Sequence, residues 1–286
     1  MKRVLILGAG GFLGSRIVHS LSSDFEVIAV VRGGKQELRL KNTPPPVPVV
    51  ELNGKPPLEV VQAYDPWCVV YAAVEYGQGD ATPTLTETNV TIPLQIAQHL
   101  GTKHEALFIS FDTFYSKFDG YQHLQGYQGS KREFLAQLHT LPKTYPIANL
   151  RLEQVYGPGD SPTKTFARLV KDIVTGVPVL ALTSGEQKRD FISVNDVAEA
   201  VRILALHGDD LPKGVSTIGV GTGKSVSLRS VLELVKEISQ SSTQLQFGAV
   251  PYRPGEPMDS FADTTFLSSL GWTPFTSLSS GLKEML

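Results

Sequence analysis

Residues 5–18 read "LILGAGGFLGSRIV", and this stretch sets the architecture expected for the whole chain. Gly8, Gly11 and Gly14 are spaced by three, with Gly10 between them, and they separate a strand pattern from a helical pattern. In such a turn one glycine permits the tight bend, another lets backbone approach a pyrophosphate, and the third lets helix and strand pack closely. The first N–H groups of the helix then face the phosphates. The stretch therefore predicts a dinucleotide-binding turn.

The chain continues with strand-like and helix-like segments in alternation. Five short apolar or β-branched runs are predicted strands, at 3–7, 26–31, 68–73, 106–110 and 147–151. Helical periodicity occupies several of the intervals between them. Residues 42–57 carry six prolines, so we expect an irregular connection there. Strands alternating with helices indicate the α/β class, here a Rossmann-type doubly wound parallel sheet.

The pattern changes after residue 155, where turn-rich segments and three further helical patterns follow. We expect residues 1–155 to form the dinucleotide-binding Rossmann domain, with 195–222 returning to it. We expect residues 156–194 and 223–286 to form a smaller, interwoven C-terminal substrate-binding lobe. No internal repeat is evident.

The composition excludes several classes of protein. The 286 residues carry a net charge of −2 and no long basic run, which argues against nucleic acid as a partner. No apolar stretch approaches the ~18–20 residues of a membrane span. Glycines interrupt the apolar run after Lys2 and Arg3, so we predict no signal peptide. The single cysteine, Cys68, cannot form an internal disulfide and suits the cytoplasm; we interpret it as buried packing.

The end of the second predicted strand bears on the choice of nicotinamide cofactor. A carboxylate there binds the ribose 2′-hydroxyl of NAD, whereas an arginine accommodates the 2′-phosphate of NADP. The strand ends "VIAVVRGGK", which offers Arg32 and Lys35 but no acid. We therefore predict NADP, with NAD as the alternative.

Residues 119–134, "DGYQHLQGYQGSKREF", contain the triplet GYQ twice. Lys131 follows Tyr127 by four residues, whereas Gln125 follows Tyr121, and positions i and i+4 share one face of a helix. A nearby ammonium and an oxidised nicotinamide ring lower the pKa of a tyrosine, whose ordinary value is about 10. Tyr127 is therefore predicted to be a general acid/base, tuned by Lys131.

A second glycine-rich stretch, "GVGTGKS" at 219–225, resembles a phosphate-binding P-loop. That motif needs a glycine where this chain has Ile218. We interpret the stretch as a turn that leads into the helical pattern after it.

With these motifs in this order, the chain resembles the extended short-chain dehydrogenases/reductases, in the branch that acts on nucleotide sugars. The resemblance covers nearly the whole length and rests on "GAGGFLG", "VVYAAVEYG", "ETNVTIPL", "YQGSK", "LRLEQVYGPGD", "EQKRDFISVNDVAEA" and "RPGE…ADTTFLSSLGW". It implies that Lys131 also holds the nicotinamide ribose. It further implies cofactor contacts at Gly8, Gly10, Gly11, Phe12, Leu13, Gly14, Ala72 and Ala73.

The resemblance also implies a nucleotide-sugar substrate. Asn89 matches the family's asparagine, and Gln154 stands where many relatives have an asparagine that touches the substrate phosphate. Arg189 and Arg253 would contact the nucleotide diphosphate, because an arginine fork suits phosphate geometry. Homodimers are common among such relatives, and a homodimer is the expectation here; no metal site is expected.

The chain departs from the family after the fifth predicted strand, in "FISFDTFYS". Phe111 replaces the serine or threonine that hydrogen-bonds the substrate oxygen, and phenylalanine forms no such bond. Ser110 and Thr113 flank it, and we expect Thr113 to take the role. Related 4,6-dehydratases carry an Asp-Glu couple here, but this chain has Asp112 followed by Thr113. The stretch resembles the reductases that make CDP-abequose or CDP-paratose.

The sequence therefore predicts an NADP-dependent reductase of a nucleotide-linked 4-keto-deoxy sugar, with Tyr127 as the general acid. Two alternatives stay open at this point. One is a nucleotide-sugar 4-epimerase that retains NAD⁺, and the other is a non-catalytic dinucleotide-binding sensor.

Overall fold

The computed structural model describes residues 1–34, 39–40, 46–77, 83–103 and 105–286, so Lys35 lies outside the described residues. Within them the strands are β1 (Arg3–Leu7), β2 (Glu26–Val31), β3 (Val49–Glu51), β4 (Cys68–Tyr71), β5 (Leu107–Thr113), β6 (Pro146–Leu152), β7 (Gln154–Tyr156), β8 (Val179–Leu182), β9 (Lys188–Arg189), β10 (Phe191–Ser193), β11 (Gly214–Val220), β12 (Val226–Ser227) and β13 (Gln244–Phe247).

The helices of the same residues are α1 (Phe12–Leu21), α2 (Pro57–Tyr64), α3 (Pro83–Thr86), α4 (Ile92–Leu100), α5 (Gln125–Leu138), α6 (Thr165–Val174), α7 (Val194–Leu206), α8 (Leu228–Ser239), α9 (Thr265–Ser269) and α10 (Leu278–Lys283). A π-helical turn, Glu87–Thr91, joins α3 to α4, and a 3₁₀ turn, Phe114–Lys117, follows β5.

Seven strands form one parallel sheet in the order β3-β2-β1-β4-β5-β6-β11. The chain moves outward from β1 in one direction through β2 and β3, then continues from β4 on the other side of β1. This reversal is the topological switch point of a doubly wound sheet, where the carboxyl ends of the strands open a crevice for a ligand. The α/β fold class predicted from the sequence is confirmed.

Apolar clusters cover both faces of this sheet, because its central strands are buried on both sides. One face packs against α1 and α7, through residues that include Ile17, Val18, Leu21, Val197, Val201 and Leu204. The other face packs against α2, α4 and α5, through residues that include Val60, Val61, Ile96, Leu100, Phe134 and Leu138. Apolar packing on the two faces holds in place the helices that flank the crevice.

The proline-rich connection contains a strand that the sequence pattern did not indicate. β3 adds to the edge of the sheet, where Val31 pairs with Glu51. Proline is tolerated near an edge strand because one side of such a strand needs no hydrogen-bond partner. The connection was expected to be extended and irregular; residues 49–51 are extended, but they pair regularly with β2.

A third apolar cluster lies outside the sheet and joins α6, α8 and α10 with β8 and β10. It includes Tyr156, Phe166, Ile173, Val231, Leu232 and Leu282. β11, from the segment expected to return to the first domain, pairs with β6 at the sheet edge. The domain boundaries themselves stay a prediction.

Two findings bear on the sequence predictions about membrane spans and the single cysteine. In the described parts of the chain, no helix is long and apolar enough to cross a membrane. Cys68 is fully buried, and burial raises the pKa of its thiol, so the group stays protonated and unreactive.

Candidate active site

The glycine turn lies between β1 and α1, at the switch point. A Cβ on Gly8, whose φ is +81°, would lie 2.6 Å from the backbone nitrogen of Ala73. A Cβ on Gly14 would lie 2.2 Å from the carbonyl oxygen of Gly8. Gly11 is exposed as the N-cap of α1, which has no side-chain cap and no acidic residue in its first turn. Two glycines thus permit close backbone packing, and the third leaves the helix end accessible to an anion.

The rest of the predicted cofactor contacts surround this turn. Gly10 is buried within the turn, and Phe12 and Leu13 are half-buried in the first turn of α1. Ala72 and Ala73 follow β4 and pass against Gly8. The exposed N-terminus of α1, which has no side-chain cap, therefore fits a dinucleotide pyrophosphate.

An acidic side chain from β3 lies close to the end of β2, and sequence reasoning missed it. Arg32 is exposed directly after β2, as predicted for a 2′-phosphate contact. However, Glu51 at the end of β3 brings its Oε2 to 3.7 Å from where a Gly33 Cβ would stand. The register of β2 with β3 places this carboxylate there, and no sequence spacing indicates it.

Tyr127 and Lys131 lie on the buried face of α5, with the Lys131 Nζ 5.8 Å from the centroid of the Tyr127 ring. Burial, with smaller contributions from Tyr76 and Asp112, raises the pKa of the Tyr127 phenol well above its ordinary value. This direction is opposite to the lowering expected from a neighbouring ammonium. Burial also lowers the pKa of Lys131 from 10.5 to about 8, although Asp112 opposes the shift. At neutral pH the protein's own groups keep Tyr127 protonated and Lys131 charged.

Thr113, the last residue of β5, interacts with Tyr127 through its side chain and opposes the rise in the pKa of the phenol. Phe111 packs in the apolar cluster beneath α1 and α7. The Ser110 hydroxyl donates to Oδ1 of Asn149 at 2.9 Å inside the core. Ser110 and Thr113 were the two candidates to replace the hydroxyl missing at Phe111. Of these, Thr113 is the one that interacts with Tyr127.

Asp112 is a buried carboxylate on the opposite face of β5 from Thr113. Its Oδ2 accepts hydrogen bonds from Arg151 Nε and from the Ser116 hydroxyl, both at 2.8 Å. Asp112 also raises the pKa of Lys131 and so opposes the effect of burial on that ammonium. No glutamate stands beside Asp112, in keeping with the argument against a dehydratase.

Asn89, a predicted substrate contact, is 1% exposed in the π-helical turn. Its Oδ1 accepts the backbone N–H of Glu75 at 2.9 Å. Its Nδ2 donates to the Glu75 carbonyl at 2.7 Å and to the Ser130 hydroxyl at 3.0 Å. These bonds tie the loop after β4 to α5, so in this structure Asn89 supports the site from within.

The predicted substrate arginines share one neighbourhood. Arg189 is buried, and its Nη2 pairs with Glu256 Oε1 at 2.6 Å. The exposed Arg253 hydrogen-bonds the phenol of Tyr121, which also bonds Glu256. The first GYQ triplet therefore contacts the predicted substrate lobe, where Gln122 also donates its backbone N–H to the Pro254 carbonyl at 3.4 Å, while the second contains Tyr127 of the predicted catalytic pair. Gln154 begins β7 and pairs with Phe191, two residues after Arg189.

The "GVGTGKS" stretch has a structural role. The backbone N–H groups of Thr222 and Gly223 donate to the buried carboxylate of Asp190 at 2.8 and 2.9 Å. The donors that a P-loop would offer to phosphate are thus occupied by a side chain, and β12 and α8 follow. The interpretation as a turn agrees with the structure.

Two more residues at the site were not indicated by any motif. The ring of Tyr76, in the loop after β4, lies 4.9 Å from that of Tyr127, centroid to centroid. The Nζ of Lys164, just before α6, lies 5.7 Å from the centroid of the Tyr76 ring. The position of Tyr76 after a central strand was a usable signal, whereas nothing in the sequence marks Lys164.

The match to a family model defines the class of protein. Residues 4–219 match the NAD dependent epimerase/dehydratase family, and the chain belongs to that family. It is therefore a nicotinamide-dependent enzyme of the extended short-chain dehydrogenase/reductase type, as the sequence predicted, in a family of nucleotide-sugar oxidoreductases and epimerases.

Individual relatives narrow the comparison. The chain is 31% identical to CDP-abequose synthase of Salmonella muenchen, over 100% of this chain and 97% of the relative. UDP-glucuronic acid 4-epimerase from Bacillus cereus, solved with UDP-glucuronic acid and NAD, superposes with a TM-score of 0.81 at 23% identity, covering 99% and 97% of the two chains. UDP-glucose 4-epimerase from Thermus thermophilus, solved with NAD, gives 0.76 at 25% identity, with the same coverage.

Proposed function

We propose that the protein reduces a nucleotide-linked 4-keto-deoxy sugar with NADPH, using Tyr127 as the general acid. The observation that carries the proposal is the position of Tyr127 and Lys131, which lie together on the buried face of α5, where burial raises the pKa of the phenol and favours its protonated form. A reductase begins its cycle with a proton to donate, whereas an epimerase must first remove one. The full-length similarity to CDP-abequose synthase supports the same choice.

The proposed chemistry adds a hydride and a proton to the ketone. The cofactor would be held at Gly8, Gly11 and Gly14, and when bound it supplies the hydride to the ketone carbon. Tyr127 donates its phenolic proton to the ketone oxygen, and the electrons of the broken O–H bond remain on the phenolate. The Lys131 ammonium stabilises that phenolate, and Thr113 hydrogen-bonds the reacting oxygens. A solvent proton restores Tyr127, so ketone, NADPH and H⁺ give alcohol and NADP⁺.

We propose the substrate diphosphate as the ligand of the arginine neighbourhood. Arg253 is exposed and offers its guanidinium directly, whereas Arg189 is paired with Glu256 and would contact phosphate by exchanging that partner. Gln154 and Asn89 remain proposed contributors to this side of the site. The cytoplasm and a homodimer stay predictions.

The proposal of NADP rests on Arg32, which is exposed at the end of β2. Glu51 stands nearby and favours the alternative, because a carboxylate suits the free 2′-hydroxyl of NAD. Arg32→Ala should raise the KM for NADPH and leave that for NADH nearly unchanged. If Glu51→Gln instead impairs the use of NADH while Arg32→Ala affects neither cofactor, NAD is the physiological choice.

The Glu51 carboxylate also favours a second candidate function, that of a 4-epimerase with retained NAD⁺. Native mass spectrometry of the purified protein distinguishes the two. An epimerase retains NAD through purification and interconverts 4-epimers without net reduction, whereas the proposed reductase consumes NADPH stoichiometrically with alcohol product.

The decisive experiment uses NADPH and a panel of 4-keto nucleotide sugars, followed by absorbance at the nicotinamide wavelength and by mass spectrometry of the product. Tyr127→Phe should abolish turnover but preserve cofactor binding, and Tyr64→Phe, at the far end of α2, is the matched control. Unchanged turnover in Tyr127→Phe would refute the mechanism. Cofactor binding without turnover of any sugar would favour the non-catalytic sensor.

A further inference from the structure

A chain of side-chain contacts reaches the Tyr127 ring from outside the catalytic helix. The Tyr76 ring packs on that of Tyr127 at 4.9 Å and an interplanar angle of 40°. The Lys164 Nζ lies 5.7 Å from the centroid of the Tyr76 ring, and interaction with the Tyr76 hydroxyl helps to raise the pKa of this ammonium. The same ammonium pairs with Asp160 Oδ1 at 2.8 Å, and the Asp160 side chain is 5% exposed. Four side chains therefore connect in the order Asp160, Lys164, Tyr76, Tyr127.

The loop that carries Tyr76 is fixed on the side of the sheet domain. Its neighbour Glu75 is held through its backbone N–H and C=O by Asn89. The Glu75 carboxylate in turn accepts the backbone N–H of Tyr76 at 3.1 Å. Asn89 also reaches Ser130, whose hydroxyl donates to the carbonyl of Tyr127 at 2.8 Å. The side-chain amide of Asn89 thus links the backbone next to Tyr76 to the helix that carries Tyr127. These bonds hold the backbone, and the Tyr76 side chain needs a further contact at its hydroxyl end.

Lys164, in the predicted substrate lobe, supplies this contact. It is the N-cap residue of α6, and its ammonium lies 5.2 Å from the centroid of Phe12, the first residue of α1. The loop before it also contacts α1, where Arg16 donates to the Pro158 carbonyl at 3.4 Å. Lys164 therefore stands where residues 157–164 meet the glycine turn.

We propose that Tyr76 is a positioning residue for the catalytic Tyr127 and that Lys164 fixes Tyr76 from the predicted substrate lobe. The proposal rests on the reductase function proposed above. The Thr113 side chain interacts with the Tyr127 hydroxyl, but one such contact leaves the ring free to rotate about its own axis and to tilt. An aromatic contact at a defined angle restricts that tilt. Together the two contacts hold the phenolic proton at one place relative to the ketone, which proton transfer requires.

A double-mutant cycle tests the interaction between Lys164 and Tyr76. Tyr76→Phe keeps the ring and removes the hydroxyl; Tyr76 is 38% exposed, so the variant retains the fold. Tyr76→Phe and Lys164→Met should each lower kcat about tenfold with KM unchanged, because both remove one positioning contact. The double variant should show no further loss. Lys171→Met, an exposed lysine on α6, is the matched control and should behave as wild type.

Tyr76→Leu removes the ring as well and should lower kcat about a hundredfold. Losses in Tyr76→Phe and Lys164→Met that multiply in the double variant, or a rise in KM at constant kcat, would overturn the proposal.

A spectroscopic measurement separates this proposal from the proposed reaction. In protein labelled with ¹³Cζ-tyrosine, the resonance missing from Tyr127→Phe identifies Tyr127. Lys164→Met should displace that resonance through Tyr76, which contacts both residues, and Lys171→Met should not. An unmoved resonance refutes the positioning chain, whatever the activity. A displaced resonance in a protein that reduces no 4-keto sugar supports the chain and refutes the reductase function.

Discussion

Replacing Lys131 with methionine is expected to stabilise the folded protein at neutral pH while abolishing its activity. Lys131 is 7% exposed, and burial lowers its pKa from 10.5 to about 8. Each pKa unit corresponds to about 1.4 kcal/mol, so the buried charge costs on the order of 3 kcal/mol of folding stability. Methionine has a similar length and no charge to desolvate. Asp112 keeps its bonds to Arg151 and Ser116, so the substitution leaves no carboxylate unpaired.

The expected stabilisation depends on pH in a defined direction. Below about pH 8 both the folded and the unfolded chain carry the Lys131 proton, and the full cost of the buried charge is present. Between about pH 8 and 10.5 the folded protein loses this proton before the unfolded chain does, so the wild type gains stability as pH rises. The advantage of Lys131→Met should therefore be largest near neutrality and shrink toward pH 10.

Urea denaturation followed by circular dichroism, from pH 6.5 to 9.5, measures the difference between variant and wild type. Comparing the two proteins at each pH cancels the titration of groups that they share. Lys171→Met, an exposed substitution, should show a difference near zero throughout. The reasoning fails if Lys131→Met is less stable than the wild type at every pH, or if its advantage does not change with pH.

Two further predictions concern neighbouring parts of the site. Thr113→Val should lower kcat by about two orders of magnitude, Thr113→Ser should retain most activity, and steady-state kinetics compares them. Adding Phe111→Ser to Thr113→Val should not restore activity, and it should cost about 3 kcal/mol in denaturant unfolding, because Phe111 fills the core. Gly14→Ala should abolish NADP(H) binding in calorimetry and lower Tm, because its Cβ would lie 2.2 Å from the Gly8 carbonyl oxygen. Gly129→Ala, with open space around the new Cβ, should bind normally, and normal binding by Gly14→Ala would contradict the packing argument.

Local patterns were enough to predict the sheet and the catalytic helix. The glycine spacing reports a backbone requirement that only glycine meets, and the i, i+4 spacing of Tyr127 and Lys131 follows from helix geometry. The strand β3 was missed because prolines around it mask a short edge strand that pairs through one side. With it, sequence reasoning missed Glu51, since the register between β2 and β3 brings that carboxylate close to the predicted cofactor site.

Properties that depend on burial were beyond the sequence. The direction of the pKa shift at Tyr127 is set first by desolvation, to which Tyr76 and Asp112 add, and the Thr113 side chain opposes the rise without reversing it. Spacing gives the identity of a neighbour but not the amount of water around it. Lys164 and Tyr76 are separated by 88 positions, and only the folded chain brings them together.

The geometry of β5 explains why Thr113, rather than Ser110, can replace the hydroxyl missing at Phe111. Side chains alternate between the two faces of a strand, so positions 111 and 113 share a face and position 110 lies on the other. Phe111 packs in the cluster beneath α1 and α7, and Thr113, one pleat further, reaches Tyr127 where the strand ends. Ser110 faces the opposite side and bonds Asn149 on β6. The position along the strand therefore decides between the two hydroxyls: Ser110 lies three residues before the end of β5 and its hydroxyl is used inside the core, whereas Thr113 ends the strand at the crevice, and Phe111 is left to pack in the core.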